Sequence, residues 1–362
     1  MKDFDDAYQS ILSGDSTLPE GYVARIFHLP PDARITRIET SADTSFTARN
    51  LRASIYIMTD GIESVRKLFI KTAKPDKDGN SYHRMAMREG GFYKLACDQG
   101  KRQIPVPHCY DVYVSEEKSE FVIVLDDLSD YYQSPSQIDL LSEQTWLSCA
   151  ECLARFHAAS WNDWEAAASE MPLTDEAEIE KDANSGRESM ARFLRKYDGE
   201  LDAATKETFA RAMEINLSIL REMARRAVKN DHMTIAHGDS HIHNFLLPLV
   251  QTEKPVLIDF QFWGVGYGVG DLAHLTRVGY PDEMKRTSQI ALVRRYHEAL
   301  EEHGVAGYSW ERCFDDYRRK VAAMVLIPFW QAIGFGVSFD QWIGSVKGLV
   351  ENYRLLNCGE LI

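Results

Sequence analysis

Cysteine is scarce. Six residues, at positions 97, 109, 149, 152, 313 and 358, are too few and too dispersed to staple a chain of 362 residues, so a disulfide scaffold is excluded and reduced thiols are expected. Positive charge is also in short supply: 41 Lys and Arg against 55 Asp and Glu leave a formal charge of −14, which speaks against nonspecific attraction to nucleic acid or anionic lipid. Long apolar runs are missing too. The one stretch near membrane length, Val321 to Phe339, is broken by Pro328, Gln331, Gly334, Gly336 and Ser338, and reads as a buried helix with a following loop. No stable membrane insertion is expected. The amino terminus, MKDFDDAYQSILSGD, carries acidic residues where a secretory signal is basic, which points to a cytoplasmic protein. No internal repeat and no Gly, Ser or Pro-rich linker interrupts the chain.

What remains is ordinary globular composition, 44% hydrophobic and 27% charged, at a length that suits two domains. Up to about residue 127 the pattern is that of strands. Ile35 to Glu39 is short and extended; Leu51, Ala53, Ile55 and Ile57 alternate with more polar neighbours; Asp60-Gly61 turns the chain into Val65 to Thr72. A helix is expected from about Ser81 to Cys97 despite Gly90 and Gly91, followed by strands at Val106 to Ser115 and Phe121 to Leu128. From Ser142, a plausible cap, the period becomes helical: Trp146, Cys149, Leu153, Phe156 and Ser160 share a face. Helices are expected in 164–205, 206–228, 284–303, 308–327 and 340–356, with one β interruption between Thr234 and Gln261. The domains are therefore placed at 1–127 and 128–362, joined by a short hinge near Asp126 to Ser129.

That β interruption holds most of the chemical vocabulary. His237-Gly238-Asp239-Ser240-His241-Ile242-His243-Asn244 follows a strand, and the pairing of Phe245 to Leu247 with Val256 to Ile258 as a hairpin predicts that Asp259 returns close to Asn244. Phosphoryl transfer needs such oxygens: one carboxylate to orient the attacking hydroxyl and take its proton, others to hold Mg²⁺ on nucleotide phosphates. Asp239 suits the first role, Asn244 and Asp259 the second. Asp239 to Asn244 has the D-x-x-x-x-N step of kinase catalytic loops, and Asp259-Phe260-Gln261 stands where those have D-F-G. Upstream, Lys71 ends the strand Leu68-Phe69-Ile70-Lys71 and Glu89 lies on the next helix, the arrangement of a phosphate-binding lysine held by an ion pair.

These residues resemble the phosphotransferase superfamily of aminoglycoside phosphotransferases and choline kinases, and most closely its ecdysteroid-kinase-like branch. The likeness rests on HGDxHxxN at His237 to Asn244, Leu257 to Gln261, Gly270-Asp271-Leu272-Ala273, LARFHAASW at Leu153 to Trp161, and VIVLDDL at Val122 to Leu128, which looks like that family's hinge; it spans about residues 35 to 275. It implies an α+β, protein-kinase-like two-lobed fold, with an antiparallel five-stranded N-terminal sheet carrying one helix and a mainly helical C-terminal lobe. It also implies ATP and Mg²⁺ as cosubstrates, a small-molecule alcohol as acceptor, and backbone groups of Asp126, Asp127 and Leu128 at the adenine edge. One departure stands out. Thr40 to Thr47 contains no glycine, where a Gly-rich loop would let amides approach phosphates; the Ser45 and Thr47 hydroxyls can substitute, and ATP or GTP use stays open.

Blander and rival readings accompany this one. Asp239, Asn244 and Asp259 are also common turn residues. His237, His157 and Asp271 read as structural, with Asp271 capping a helix and orienting the catalytic loop. Cys149-x-x-Cys152 lacks a second ligand pair for zinc, and Gly264, Gly266, Gly268 and Gly270 read as a flexible loop rather than a dinucleotide fingerprint. A serine hydrolase would use Ser240 with His274; a two-metal phosphoesterase would use Asp239, His241, His243 and Asp259; a noncatalytic nucleotide-binding protein would explain the glycine-free loop. The acceptor and the oligomeric state are left open. The acidic surplus leans toward a cationic acceptor, and the aromatic stretch from Phe329-Trp330 toward an apolar one.

Overall fold

The computed structural model describes residues 2–14, 17–44, 48–73, 81–98, 104–115, 117, 120–136, 141–165, 167, 175–250, 253–277, 287–334 and 338–361. The chain divides into two compact units, Met1–Ser134 with Leu246–Trp263, and Pro135–Phe245 with Gly264–Ile362. The sequence reading draws a single cut after residue 127 and so groups 246–263 with the other unit.

The first unit is built on a five-stranded antiparallel sheet. Its strands are β1 (Arg34–Thr44), β2 (Ala48–Thr59), β3 (Ile62–Ala73), β4 (Cys109–Ser115) and β5 (Glu120–Asp126), in the order β1-β2-β3-β5-β4. Asp60 and Gly61 both take positive φ, +52° and +76°, as a two-residue hairpin turn requires, and fix the β2–β3 register with Asn50 opposite Lys71. Period-two alternation then sorts the sheet's faces: Leu51, Ala53, Ile55 and Ile57 of β2, Leu68 and Ile70 of β3, and Val122 and Val124 of β5 enter one core.

That core is closed by two helices which the strand-centred reading of this region lacks, α1 (Lys2–Ser13) and α2 (Glu20–Ile26). They deliver Ala7, Tyr8, Ile11, Tyr22, Val23 and Ile26, and full burial of an aliphatic side chain of this size contributes about 1.5–3 kcal/mol. The Tyr8 and Tyr22 hydroxyls both donate to Asp111 Oδ2 at 2.8 Å, pinning the pair to β4. Helix α3 (Ser81–Asp98) packs on β4 and β5. Gly90 belongs there because a Cβ would stand 2.8 Å from Val114 Cγ2, so close approach offsets its poor helix propensity. A small three-stranded sheet of β6 (Tyr132–Gln133), β8 (Phe245–Pro248) and β9 (Val256–Leu257) completes this part, with β8 and β9 adjacent as the hairpin reading requires.

The second unit is mainly helical: α4 (Glu143–Ala158), α5 (Glu176–Lys196), α6 (Ala203–Lys229), α7 (Val269–Leu275), α8 (Thr287–Glu302), α9 (Trp310–Met324), α10 (Ile327–Gly334) and α11 (Phe339–Leu355). Ser142 caps α4 as its position suggests, accepting from the Thr145 amide. The single buried helix expected from Val321 is instead two, because Pro328 has no amide to donate and sits in the first turn of α10. The glycine-rich stretch is not loose: Gly264–Gly266 forms β10, paired with β7 (Thr234–Ala236), and Gly270 lies inside α7. Among the described residues no helix is long and apolar enough to cross a membrane.

Candidate active site

In the first unit, strand alternation that sends Ile70 into the core turns Lys71 to the other face of β3. Its Nζ lies 2.5 Å from Glu89 Oε2 on α3 and 2.8 Å from Asp259 Oδ1. Lys71 is 8% and Glu89 2% exposed, so this is a buried ion pair and not a solvated contact. Burial by itself depresses the Lys71 ammonium, but the Glu89 and Asp259 carboxylates outweigh it and hold the group above its ordinary range. Burial pushes the Glu89 carboxyl up against the pull of Lys71. The short contact to a cation that stays protonated favours the ionised pair, and a hydrogen bond with Gln261 supports Glu89 further.

Asp259 is fixed from behind. Phe260 stacks on Phe92 of α3 at 3.7 Å between centroids and 5° between planes. Arg88 Nη2 donates to the Trp263 carbonyl while Trp263 Nε1 donates to the Arg88 carbonyl, each at 2.6 Å. Asp259 itself takes φ +69°, a left-handed conformation uncommon for a residue with a side chain. One of its oxygens meets Lys71; the other has no partner among the described residues. Arg88, Phe92, Gln261 and Trp263 are absent from the sequence-derived site, since nothing in residue spacing reveals that segment 259–263 lies along α3.

In the segment after β5 the Asp126 amide donates to the His108 carbonyl and the Asp127 amide to the Lys67 carbonyl, while the Asp127 carboxylate holds Arg52 at 2.6 Å. The Leu128 amide has no partner among the described residues. Ser45 and Thr47 lie outside the described residues.

In the second unit, β7 runs into His237-Gly238-Asp239-Ser240 and a 3₁₀ turn at Ile242–Asn244. Gly238, at φ +82°, makes a bend that a side chain would strain. Asp271, in the first turn of α7, accepts from the His237 amide at 2.6 Å and the Gly238 amide at 2.8 Å. It also receives His157 Nε2 at 2.9 Å, and the Tyr296 hydroxyl backs the other ring nitrogen at 2.9 Å. Burial alone pushes the Asp271 carboxyl up; the His157 hydrogen bond, with the charge and amide of His237, overcomes this and holds it well below the usual carboxylate range. The sequence reading of Asp271 as orienting the loop agrees with these contacts. Asp271→Asn, which leaves two amide donors facing an amide, is expected to cost about 3–5 kcal/mol at pH 7. Because the folded group titrates lower than the unfolded one, its stabilisation is present above about pH 4 and fades as pH falls below. Urea unfolding of wild type and variant should therefore converge in acid, and a constant difference from pH 7 to pH 3 would refute the assignment.

Asp239 and Asn244 share this loop: Asn244 Nδ2 donates to the Asp239 carbonyl at 2.7 Å, leaving Asn244 Oδ1 as an acceptor. The Asp239 carboxylate has His241 Nε2 at 3.5 Å, His274 Nδ1 at 3.8 Å and Arg277 Nη2 at 3.9 Å. Burial, with Arg277 adding to it, takes His274 down to about 3, so its imidazole is neutral at physiological pH.

One rival loses its geometry. Ser240 is fully buried and donates to the Asp271 carbonyl at 2.7 Å, which is a structural role and not that of a nucleophile. Among the described residues no group of three or more His, Cys, Asp or Glu side chains is arranged to hold a metal ion. Cys149 and Cys152 are packed inside α4.

The model of the ecdysteroid kinase-like family matches residues 45–305, well over half of the chain. The chain belongs to the ecdysteroid kinase-like family. Its members are kinase-like small-molecule phosphotransferases, and the α+β kinase-like fold expected from the motifs is the one found. Among solved structures, a choline kinase from Cryptosporidium parvum Iowa II superposes with a TM-score of 0.50 at 13% identity, over 90% of this chain and 91% of that one. An ethanolamine kinase from Plasmodium vivax gives 0.49 at 12%, over 90% and 84%. The GDP complex of aminoglycoside 2′-phosphotransferase-IIIa gives 0.49 at 12%, over 92% and 98%. No curated protein sequence matches.

Proposed function

We propose that this member of the ecdysteroid kinase-like family moves the γ-phosphate of ATP to a hydroxyl group of a small molecule. The observation that carries this reading is the buried Lys71–Glu89 pair that also meets Asp259, since a lysine so held has its charge fixed for α and β phosphate oxygens. The first unit takes the nucleotide, with the Leu128 amide at the adenine edge, and the second takes the acceptor.

Each unit offers an oxygen of the kind Mg²⁺ prefers: the neutral Asn244 Oδ1 in the second and, in the first, the anionic Asp259 oxygen not on Lys71. Held by these residues, the ion would supply neutralisation of triphosphate charge. Asp239 orients the acceptor O–H and takes its proton as the new O–P bond forms and the bond from Pγ to the bridging oxygen breaks, the electron pair leaving with ADP. No disulfide joins the described cysteines, which suits a cytoplasmic setting.

Incubating the full chain with Mg²⁺ and γ-labelled ATP against a panel of hydroxylated metabolites tests the reading. Label should move to one class of alcohol. Nucleotide binding with no transfer to any acceptor would favour the noncatalytic alternative, and absence of nucleotide binding would remove both.

A further inference from the structure

Arg277, two residues beyond α7, is a half-buried cation whose donors are not all met among the described residues. Its side chain is 14% exposed, and among the described residues its anionic neighbour is Asp239 Oδ1 at 3.9 Å, too far for a hydrogen bond. Its Nε is buried with no partner among the described residues. A guanidinium carries five N–H donors, and burying it without satisfying them is costly. His274 lies beside it, with Nδ1 also buried, unbonded and 3.8 Å from the same carboxylate oxygen. Neutral, as its burial makes it, that imidazole adds a polar edge without a competing charge. Donors left over beside the carboxylate that receives the acceptor are the makings of an anion seat.

We propose that Arg277 is a catalytic residue whose guanidinium binds an oxygen of the phosphoryl group while it passes from nucleoside triphosphate to acceptor. This rests on the phosphotransferase reading. An acceptor oxygen hydrogen-bonded to Asp239 lies about 2.6–3.2 Å from it, and the phosphorus under attack about 3–3.5 Å further. A guanidinium nitrogen 3.9 Å from the same carboxylate reaches the equatorial oxygens of that phosphorus with little movement. A loose transition state spreads charge over those oxygens, and a fixed arginine stabilises it. The bonds made and broken are those of the transfer itself; Arg277 keeps its protons throughout.

The test needs no acceptor. ADP binding to the full chain is measured by calorimetry with Mg²⁺, in the presence and absence of aluminium fluoride, which mimics the phosphoryl group in flight. Wild type should bind ADP about tenfold tighter or more with the fluoride. Arg277→Ala should bind ADP alone within about threefold of wild type but lose that gain, with Arg277→Lys recovering part of it because the charge is kept and the fork lost. A purely structural arginine would move ADP binding or folding and leave the gain intact. Retention of the full gain in Arg277→Ala, or, should that variant not fold, in Arg277→Gln, overturns the inference while leaving the kinase reading standing. Absence of ADP binding by the wild type instead takes down the kinase reading itself.

Discussion

Asp239→Asn should cut phosphate transfer by about 10²–10⁴-fold while ADP affinity stays within about twofold of wild type. The substitution keeps the shape of the loop: the Asn244 side chain bonds the Asp239 carbonyl, not its carboxylate, and Asp271 holds the neighbouring amides. What is lost is the carboxylate's capacity to align an acceptor hydroxyl and take its proton. Steady-state transfer rates beside calorimetric ADP binding separate the two effects. Equal turnover in the variant would remove Asp239 from the mechanism, and a parallel loss of nucleotide binding would show that the loop had moved.

Lys71→Met should be felt twice. Removing the ammonium strands Glu89, 2% exposed, without its counter-ion, at a cost of about 3–5 kcal/mol in stability. It also removes the charge proposed to meet the α and β phosphates, so nucleotide binding should fall by at least tenfold. The double variant Lys71→Met with Glu89→Leu tells these apart, because replacing a buried ion pair by apolar side chains is often neutral or stabilising. Its urea midpoint should return toward wild type while nucleotide affinity stays low. If both recover together, Lys71 is structural.

Much of this was legible beforehand, for identifiable reasons. Period-two alternation and the Asp60-Gly61 turn place β2 and β3, and with them the face of Lys71. The five-residue step from Asp239 to Asn244 follows from a local bend, which is why spacing alone locates it. The supporting cast was not legible. Whether Gln261 meets Glu89, or Arg88 and Trp263 exchange hydrogen bonds over 175 positions, depends on tertiary packing that no local pattern encodes. Arg277 is hidden for another reason: three residues past His274, in a sequence with no signature, its meaning comes from a buried Nε that has no partner among the described residues. The two leading helices lie outside the expected pattern because the acidic opening resembles a non-signal tail, although Ala7, Tyr8 and Ile11 mark one helical face.

Those helices set a limit on how the protein can be dissected. The family match begins at residue 45, past α1, α2 and β1, yet Ile55, Leu68, Ile70 and Val124 owe their dryness to side chains contributed by α1 and α2. A fragment trimmed to the recognisable region would keep the motif residues of the proposed chemistry and leave a greasy sheet face open to water, an invitation to self-association. The unit that evolution labels and the unit that folds are of different lengths.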